Sequence, residues 1–362
     1  MSHGRRLMGL LFLAFLAFPL IGLDLLGQEK KGDDKKAETK KDDSKKDDSK
    51  KDDSKDPTKV TLAWKLPKGT SFYQKMTTKT KQTMKVMNND VTQNQEQTFY
   101  FEWKVTDVDE KNNKVTLEQK ILGVKMDIDI GGSPIKYDST NPSNNNTSNP
   151  LGDFFKALVG ATFKMELDTK TLKITKIEGR EEFVKKLVAA NKQMSPLLEK
   201  ILSEDALKEM AEPTFAVVSN EPVEKGKTWK KETKLDMGPI GAYTNEYTYT
   251  YEGTDKAKNL DKIKVDTKLT YVAPKKTDGI GGLPFTIKSA NLTSKDAKGE
   301  IWFDKEKGRV AKTDLSLKLE GDLQIEIAGQ PTKVELKQEQ TTTVETSDTN
   351  PVEKATTEKD KK

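Results

Sequence analysis

The chain contains no cysteine and a single histidine, His3. The first absence excludes disulfides, thiolate metal sites, a cysteine nucleophile and a lipid-modified N-terminal cysteine. The second excludes Ser-His-Asp triads and His-ligated zinc and removes the commonest general base, because His3 lies in a segment that reads as a targeting signal. Without imidazole, nothing in the mature chain is expected to titrate near neutrality except its amino end. Apolar residues are scarce too: 33% of the 362 residues are hydrophobic and 33% are charged. That length accommodates one large or two ordinary domains but leaves little sequence spare for a thick core.

Arg5 and Arg6 precede an apolar run from Leu7 to Leu23, broken by Pro19 and Gly22. A basic start, a short apolar stretch and then small residues form the secretory signal pattern, with cleavage expected near Gly27. Leu25, third from the end, departs from the small-residue rule. The alternative is an uncleaved anchor, for which 17 residues fall at the short end of a membrane span. Either reading makes the protein exported, periplasmic or on the cell surface. Removing residues 1–27 takes away Arg5, Arg6 and Asp24 and lowers the net charge from +5 to +4. The signs are mixed throughout and no basic stripe stands out, so nucleic acid is not an expected partner.

Residues 30–54 read as five pentads, the last three being Lys-Lys-Asp-Asp-Ser and ending at Ser54. No apolar residue larger than alanine occurs there, so burial cannot offset the entropy of ordering. Residues 28–57 are therefore expected to form a disordered, nearly neutral linker ended by Pro57, and residues 346–362 a disordered tail.

From Lys59 onward the hydrophobic period is two. Phe99, Phe101, Trp103 and Val105 alternate with Tyr100, Glu102, Lys104 and Thr106. The run Asp109 to Asn113 turns the chain, and Val115, Leu117 and Ile121 carry the apolar face back. This is an antiparallel hairpin with one greasy and one wet face. Val124, Met126, Ile128 and Ile130 then continue in the opposite phase, which predicts a β-bulge at Leu122-Gly123.

A second copy of this pattern follows. Lys68-Gly69-Thr70-Ser71-Phe72 matches Lys225-Gly226-Lys227-Thr228-Trp229; Thr106-Asp107 matches Thr254-Asp255; Leu167-Asp168 matches Phe303-Asp304. The offsets are 157, 148 and 136, falling only across loops. The first copy carries an extra Asn/Ser/Pro loop from Ser139 to Pro150 and a short helical stretch from Leu151 to Leu158. Between the copies, Phe183, Leu187 and Val188 have helical spacing. Ser195-Pro196 reads as an N-cap and first turn, Ser203 as the cap of a last helix, and Pro213 as its stop. An amphipathic insert beside one-faced sheets is expected to lie across their apolar concave face.

The fold class expected is mainly β: a duplicated antiparallel curved sheet or half-barrels with a helical insert between the repeats. The boundaries are 58–178 for the first repeat, 179–213 for the insert and 214–345 for the second repeat.

The segment Ile135-Lys136-Tyr137-Asp138-Ser139, the Asn-rich loop after it and Pro150 to Leu167 resemble a family of exported bacterial proteins catalogued only as a domain of unknown function. The hairpin Phe99 to Ile121 and the Lys-Gly-x-Ser-Phe start at Lys68 fit it too. The resemblance covers most of residues 57–345 and implies no active site to transfer. More distantly, a curved sheet covered by helices looks like the lipoprotein-carrier half-barrels of the bacterial envelope, an analogy of fold alone.

Candidates for chemistry are few. Asp127 and Asp129 point the same way, about 7 Å apart along a strand, a spacing in the range for inverting glycoside hydrolysis. An exposed strand face gives the same spacing. Asp107-Val108-Asp109-Glu110-Lys111 has the start of a calcium loop, but Lys111 replaces a ligand and no closing Glu follows. Gly279-Ile280-Gly281-Gly282 is glycine-rich without a following helix, which favours a turn over a phosphate site. Tyr243, Tyr247, Tyr249 and Tyr251 form a stripe that would stack on sugars or bases if open, but pave an ordinary strand face if buried. No metal or cofactor is expected, and no catalytic residue is assigned. The expected function is a non-catalytic exported binding or scaffold protein with a lipid, acyl or peptide ligand, or another envelope component as partner. The alternative is a carboxylate-based hydrolase of envelope glycans.

Overall fold

A computed structural model describes residues 59–141, 150–219, 221–274, 283 and 285–353. The signal-like start, the pentad linker, residues 142–149 of the Asn-rich loop, the run Gly279 to Gly282 and residues 354–362 lie outside the described residues.

Alternation of buried and exposed side chains builds twelve strands. They are β1 (Ser71–Val86), β2 (Asn89–Asp109), β3 (Lys114–Ile130), β4 (Ser133–Asp138), β5 (Thr162–Asp168) and β6 (Ile174–Glu178). The second half supplies β7 (Thr228–Asp236), β8 (Ala242–Asp255), β9 (Leu260–Val272), β10 (Thr286–Asp304), β11 (Arg309–Ile327) and β12 (Gln330–Ser347). All belong to one antiparallel sheet in the order β6-β5-β3-β2-β1-β12-β11-β10-β9-β8-β7, with β4 added beside the far half of β3. The sheet curves but does not close, so β6 and β7 remain edges. Among the described residues, four short α-helices accompany it: α1 (Pro150–Leu158), α2 (Arg180–Ala190), α3 (Ser195–Ile201) and α4 (Glu204–Ala211).

The two repeats are visible as the same meander. The order β1-β2-β3-β5-β6 on one side corresponds to β7-β8-β9-β10-β11 on the other. The entry turns match bond for bond: the Gly69 amide donates to the Val105 carbonyl (2.8 Å), and the Gly226 amide to the Tyr251 carbonyl (2.8 Å). A register shift follows each partner, between Val105 and Asp107 and between Tyr251 and Gly253. Asp168 and Asp304 each accept from backbone amides two and three residues on. One expectation needs correction. The β2–β3 and β8–β9 turns align Asp109–Asn113 with Asp255–Asn259, where both asparagines have φ near +55° (56° and 54°). Asp255 therefore matches Asp109, not Asp107. A slip of two residues keeps every side chain on its face, so alternation alone cannot detect it.

The bulge sits where the alternation changes phase: Tyr100 pairs with Gly123 and Phe101 with Ile121, leaving Leu122 extra. Other boundaries differ from expectation. The last strand runs to Ser347, and Asp348 holds Lys307 and Arg309, so the start of the supposed tail is structured. The second repeat forms no strand before Thr228. Instead Phe215, Ala216, Val217 and Val218 make a fully buried turn inside the sheet. Ser195 is the first helical residue of α3 rather than its cap, whereas the Ser203 side chain does accept from the Ala206 amide (3.2 Å).

The helices are seven to eleven residues long, too short to persist alone in water. Packing holds them. Phe183, Leu187, Leu198 and Leu207 are buried in the apolar cluster of the first repeat and Leu197 in that of the second, each contributing about 1.5–3 kcal/mol by burial. The insert thus lies against the sheet's inner face, as its amphipathic pattern predicts. The Arg180 guanidinium ties the start of α2 to the end of α3 through the Leu202 and Glu199 carbonyls and the Glu199 carboxylate (2.7 Å).

Gly321 offers a direct test of the long pairings. Its φ is +152°, and an added Cβ would stand 1.9 Å from the Asn291 carbonyl oxygen. Gly321→Ala is expected to destabilise the protein by on the order of 3 kcal/mol, read as a lowered midpoint in urea unfolding. An unchanged midpoint would mean that β10 and β11 are not paired in this register.

Candidate functional site

The part of the first repeat's inner face that lies under the helices is almost wholly apolar. Phe99, Phe101 and Trp103 from β2, Ile121 from β3, and Phe163 and Met165 from β5 form a floor. The cover comes from α1 through Phe154 and Leu158, and from the 180–211 helices. Met237 and Ile240, after β7, close one side. Between floor and cover lies a partly enclosed cavity of about 170 Å³. No charged side chain lines it among the described residues. The Trp103 indole N–H is already used, donating to Gln74 Oε1 (2.8 Å). The remaining polar side chains in the lining are Gln119 and Thr214.

Gln119 is the informative one. It occupies the inward position between Leu117 and Ile121, paired across the sheet with Trp103 on one side and Phe163 on the other. Its side-chain amide has no hydrogen-bond partner among the described residues. Gln119 is half-buried and its amide is not among the fully buried unsatisfied groups, so solvent can reach it; a ligand that shuts out that solvent must pair with the amide or leave it unsatisfied. Sequence reasoning passed over this residue, although it breaks the apolar alternation of Val115, Leu117 and Ile121.

A second, smaller cavity of about 60 Å³ adjoins the first. The two share Met76, Phe101, Trp103, Gln119 and Thr214, and the smaller adds Gln74, Thr313 and Thr342. These last belong to a buried polar band on the inner faces of β1, β2, β11 and β12 that includes Thr78, Thr80, Gln82, Gln97, Gln338 and Gln340. Some of its groups pair: Thr78 with Thr342 (3.3 Å) and Gln338 Nε2 with Gln340 Oε1 (3.2 Å). Others, including Thr80 Oγ1, Gln82 Oε1 and Gln340 Nε2, have no protein partner.

The cover is fastened at the sheet's two open edges by one helix. From the end of α4, the Glu212 carboxylate accepts from the Ile174 amide of β6 (3.1 Å). The Glu209 carboxylate faces the Asp236 amide at the end of β7, which favours its charged form. Burial raises the pKa of both groups. That of Glu209 is pushed up to about 7, first by desolvation and then by the nearby charges of Asp205, Asp236 and Glu212, against the lowering effect of the Asp236 amide. That of Glu212 rises for the same leading cause. The expectation that nothing but the amino end titrates near neutrality is therefore corrected. A desolvated glutamate does what the missing histidine cannot.

The sequence-derived candidates lie elsewhere. Asp127 and Asp129 sit on the outer face. Asp127 is exposed and pairs with Lys136 (3.0 Å), and Asp129 Oδ1 accepts from the Gly132 amide (2.8 Å). Together with Glu96, Lys79, Lys81 and Lys318 they line a wide polar groove across six strands. They are turn and ion-pair partners on an open surface, not two walls of a cleft. Asp107 pairs with Lys68 (2.7 Å) and Asp109 caps its hairpin turn. The four tyrosines of β8 are buried and pack. The hydroxyl of Tyr251 donates to the buried Asp261 (2.7 Å).

Fold and cavity together define a class: an open, curved antiparallel sheet with an apolar, uncharged hollow under a helical cover. The chain belongs to a family of unknown function, DUF6263, whose signature matches residues 112–310. This is in line with the uncharacterised family expected from the sequence. No curated protein matches the chain. Among solved structures, the chain is similar to a lipovitellin described by its lipid–protein interactions, with a TM-score of 0.37 and 12% identity. That match covers 78% of this chain but only 26% of lipovitellin. Similarity to OccK5 of Pseudomonas aeruginosa has a TM-score of 0.21 and 4% identity, covering 77% of this chain and 98% of the other. Likenesses this weak carry no functional inference. Among the described residues, no helix is long and apolar enough to cross a membrane.

The edge clasp predicts a pH effect of definite sign. The folded state holds the Glu209 proton more tightly than the unfolded chain, so stability falls as pH rises from the ordinary value of 4.5 through about 7. Above that window the penalty is complete, and below it the penalty is absent. Glu209→Gln is expected to flatten this slope and to gain on the order of 2 kcal/mol at about pH 8 relative to the parent. Thermal unfolding of both proteins between about pH 5 and about pH 8 reads the difference. Parallel slopes would show that Glu209 is not held in this environment.

Proposed function

We propose that this protein is an exported, non-catalytic carrier that holds a lipid or acyl chain in the hollow between the first-repeat sheet and its helical cover. The observation that carries the reading is the uncharged apolar cavity. A space of about 150 Å³ with such walls accepts benzene, so 170 Å³ suits a flexible chain of roughly six to eight carbons. Its cover is built from short helices that depend on contacts for their stability, so it can part and reclose at modest cost. Arg5, Arg6 and the apolar run after them support export. The absence of cysteine and of any histidine beyond His3 supports binding over catalysis.

The test is native mass spectrometry of purified protein, with solvent extraction of whatever dissociates, together with binding of the small apolar fluorophore naphthalene. Ala211, buried in the cavity wall, provides the control. Ala211→Phe fills the hollow and is expected to weaken fluorophore binding at least about tenfold while leaving the unfolding midpoint unchanged or raised. Fluorophore binding that survives this substitution would place the apolar site elsewhere.

A further inference from the structure

We infer that the cavity selects single-chain amphiphiles with an uncharged hydrogen-bonding head, seated with the head at Gln119 and the tail toward Phe154 and Leu187. This rests on the carrier reading above and adds the chemical class of the cargo.

Three features carry it. First, neither cavity has a charged side chain in its lining. A carboxylate or phosphate head drawn inside would lose its water without gaining a counterion, which is strongly unfavourable. Second, Gln119 presents an unpaired amide in the middle of the apolar floor. An amide both donates and accepts, so a hydroxyl, ester or amide head satisfies it, whereas a bare hydrocarbon leaves it unpaired. Third, Gln119 stands where the apolar hollow meets the smaller one, which adds three neutral polar side chains, Gln74, Thr313 and Thr342, beside five apolar ones. The neutral polar groups thus gather at one end of an otherwise apolar space, where a small neutral head fits. A fatty alcohol or a monoacylglycerol of medium chain length fits this description. A two-chain phospholipid fails on both volume and charge.

The repeat supplies an internal comparison. The position equivalent to Gln119 in β9 is Val265, paired with Tyr249 and Gly299 as Gln119 is paired with Trp103 and Phe163. Val265 is fully buried and packed. A valine therefore suits this place in the meander, and the glutamine is not demanded by the sheet.

The experiment displaces naphthalene from the full chain with 1-octanol, monooctanoylglycerol, octanoate at about pH 8 (well above its ordinary carboxylic pKa) and octylphosphocholine. The two neutral compounds are expected to compete at concentrations at least about tenfold lower than the two charged ones. Gln119→Leu is expected to weaken 1-octanol about fivefold, the worth of one net hydrogen bond, while the fluorophore binds as before. Thr214→Val, with folding checked by circular dichroism, gives a second, smaller loss on the same wall. Equal competition by octanoate and 1-octanol would overturn the neutral-head inference and leave the carrier reading standing. So would 1-octanol affinity indifferent to both substitutions. No fluorophore binding by the parent protein would remove the carrier reading itself, and the head-group inference with it.

Discussion

The architecture depends on what happens at two unpaired strand edges. A sheet that curls through eleven strands from edge to edge must either zip its edges together, leave them exposed to pairing with other chains, or cover them. Here β6 and β7 do not pair with each other. Helix α4 lies against both; Glu212, just past its C-terminal end, takes the Ile174 amide of β6, and Glu209 faces the Asp236 amide at the end of β7. Closure by a helix rather than by a ladder has a geometric consequence. Eight strands enclose about as much space as their side chains can fill, and a longer curved sheet encloses more. The surplus interior is occupied by the buried turn at Phe215–Val218 and by the apolar stripes of α2, α3 and α4. The cavity is the part that this filling leaves over.

The same constraint explains the cost carried at Glu209. An edge amide must be satisfied, and a carboxylate is the strongest acceptor available. Placing it beside Asp205, Asp236 and Glu212 in a desolvated corner makes its charged form expensive. The clasp is therefore tightest when that group holds its proton. Because Leu207 and Ala211 on the same helix wall the cavity, anything that loosens the clasp loosens the cover.

Much of this was legible in the sequence where one face of a strand is apolar. Phe99 to Val105, the phase change at Leu122-Gly123 and the amphipathic 180–211 stretch each follow from periodicity. What periodicity could not reveal is the joining of the repeats. Strands β1 and β12 pair over Tyr73–Val86 and Val334–Ser347, yet their inward residues at the centre are Thr78, Thr80, Gln82, Gln338, Gln340 and Thr342. Such strands carry no hydrophobic alternation to read, and their burial depends on partners some 260 residues away. The buried turn at Phe215–Val218 was taken into the second repeat for the opposite reason: it is a short apolar run without period. Glu209 is unremarkable in sequence, since desolvation is a property of the packed corner. Gln119, by contrast, was there to be read, as the one inward position in its strand where an apolar residue is missing.

The two repeats also bear on whether the cavity is a by-product of the fold. Both build the same meander, with the same turn hydrogen bonds and the same bulge after the entry contact. The second fills its hollow with its own side chains: Tyr243, Tyr247, Tyr249, Tyr251 and Tyr271 are buried, and the rings of Tyr243 and Tyr271 lie 5.0 Å apart. Where it has Tyr247 and Val265, the first has Phe101 and Gln119, and it spends α1 and the 180–211 helices as a roof. A sheet of this shape can thus be packed solid by one residue set and left hollow by another. The hollow belongs to the copy that also carries the helical cover, the edge clasp and the unpaired amide, and that coincidence is more than the packing of the sheet requires.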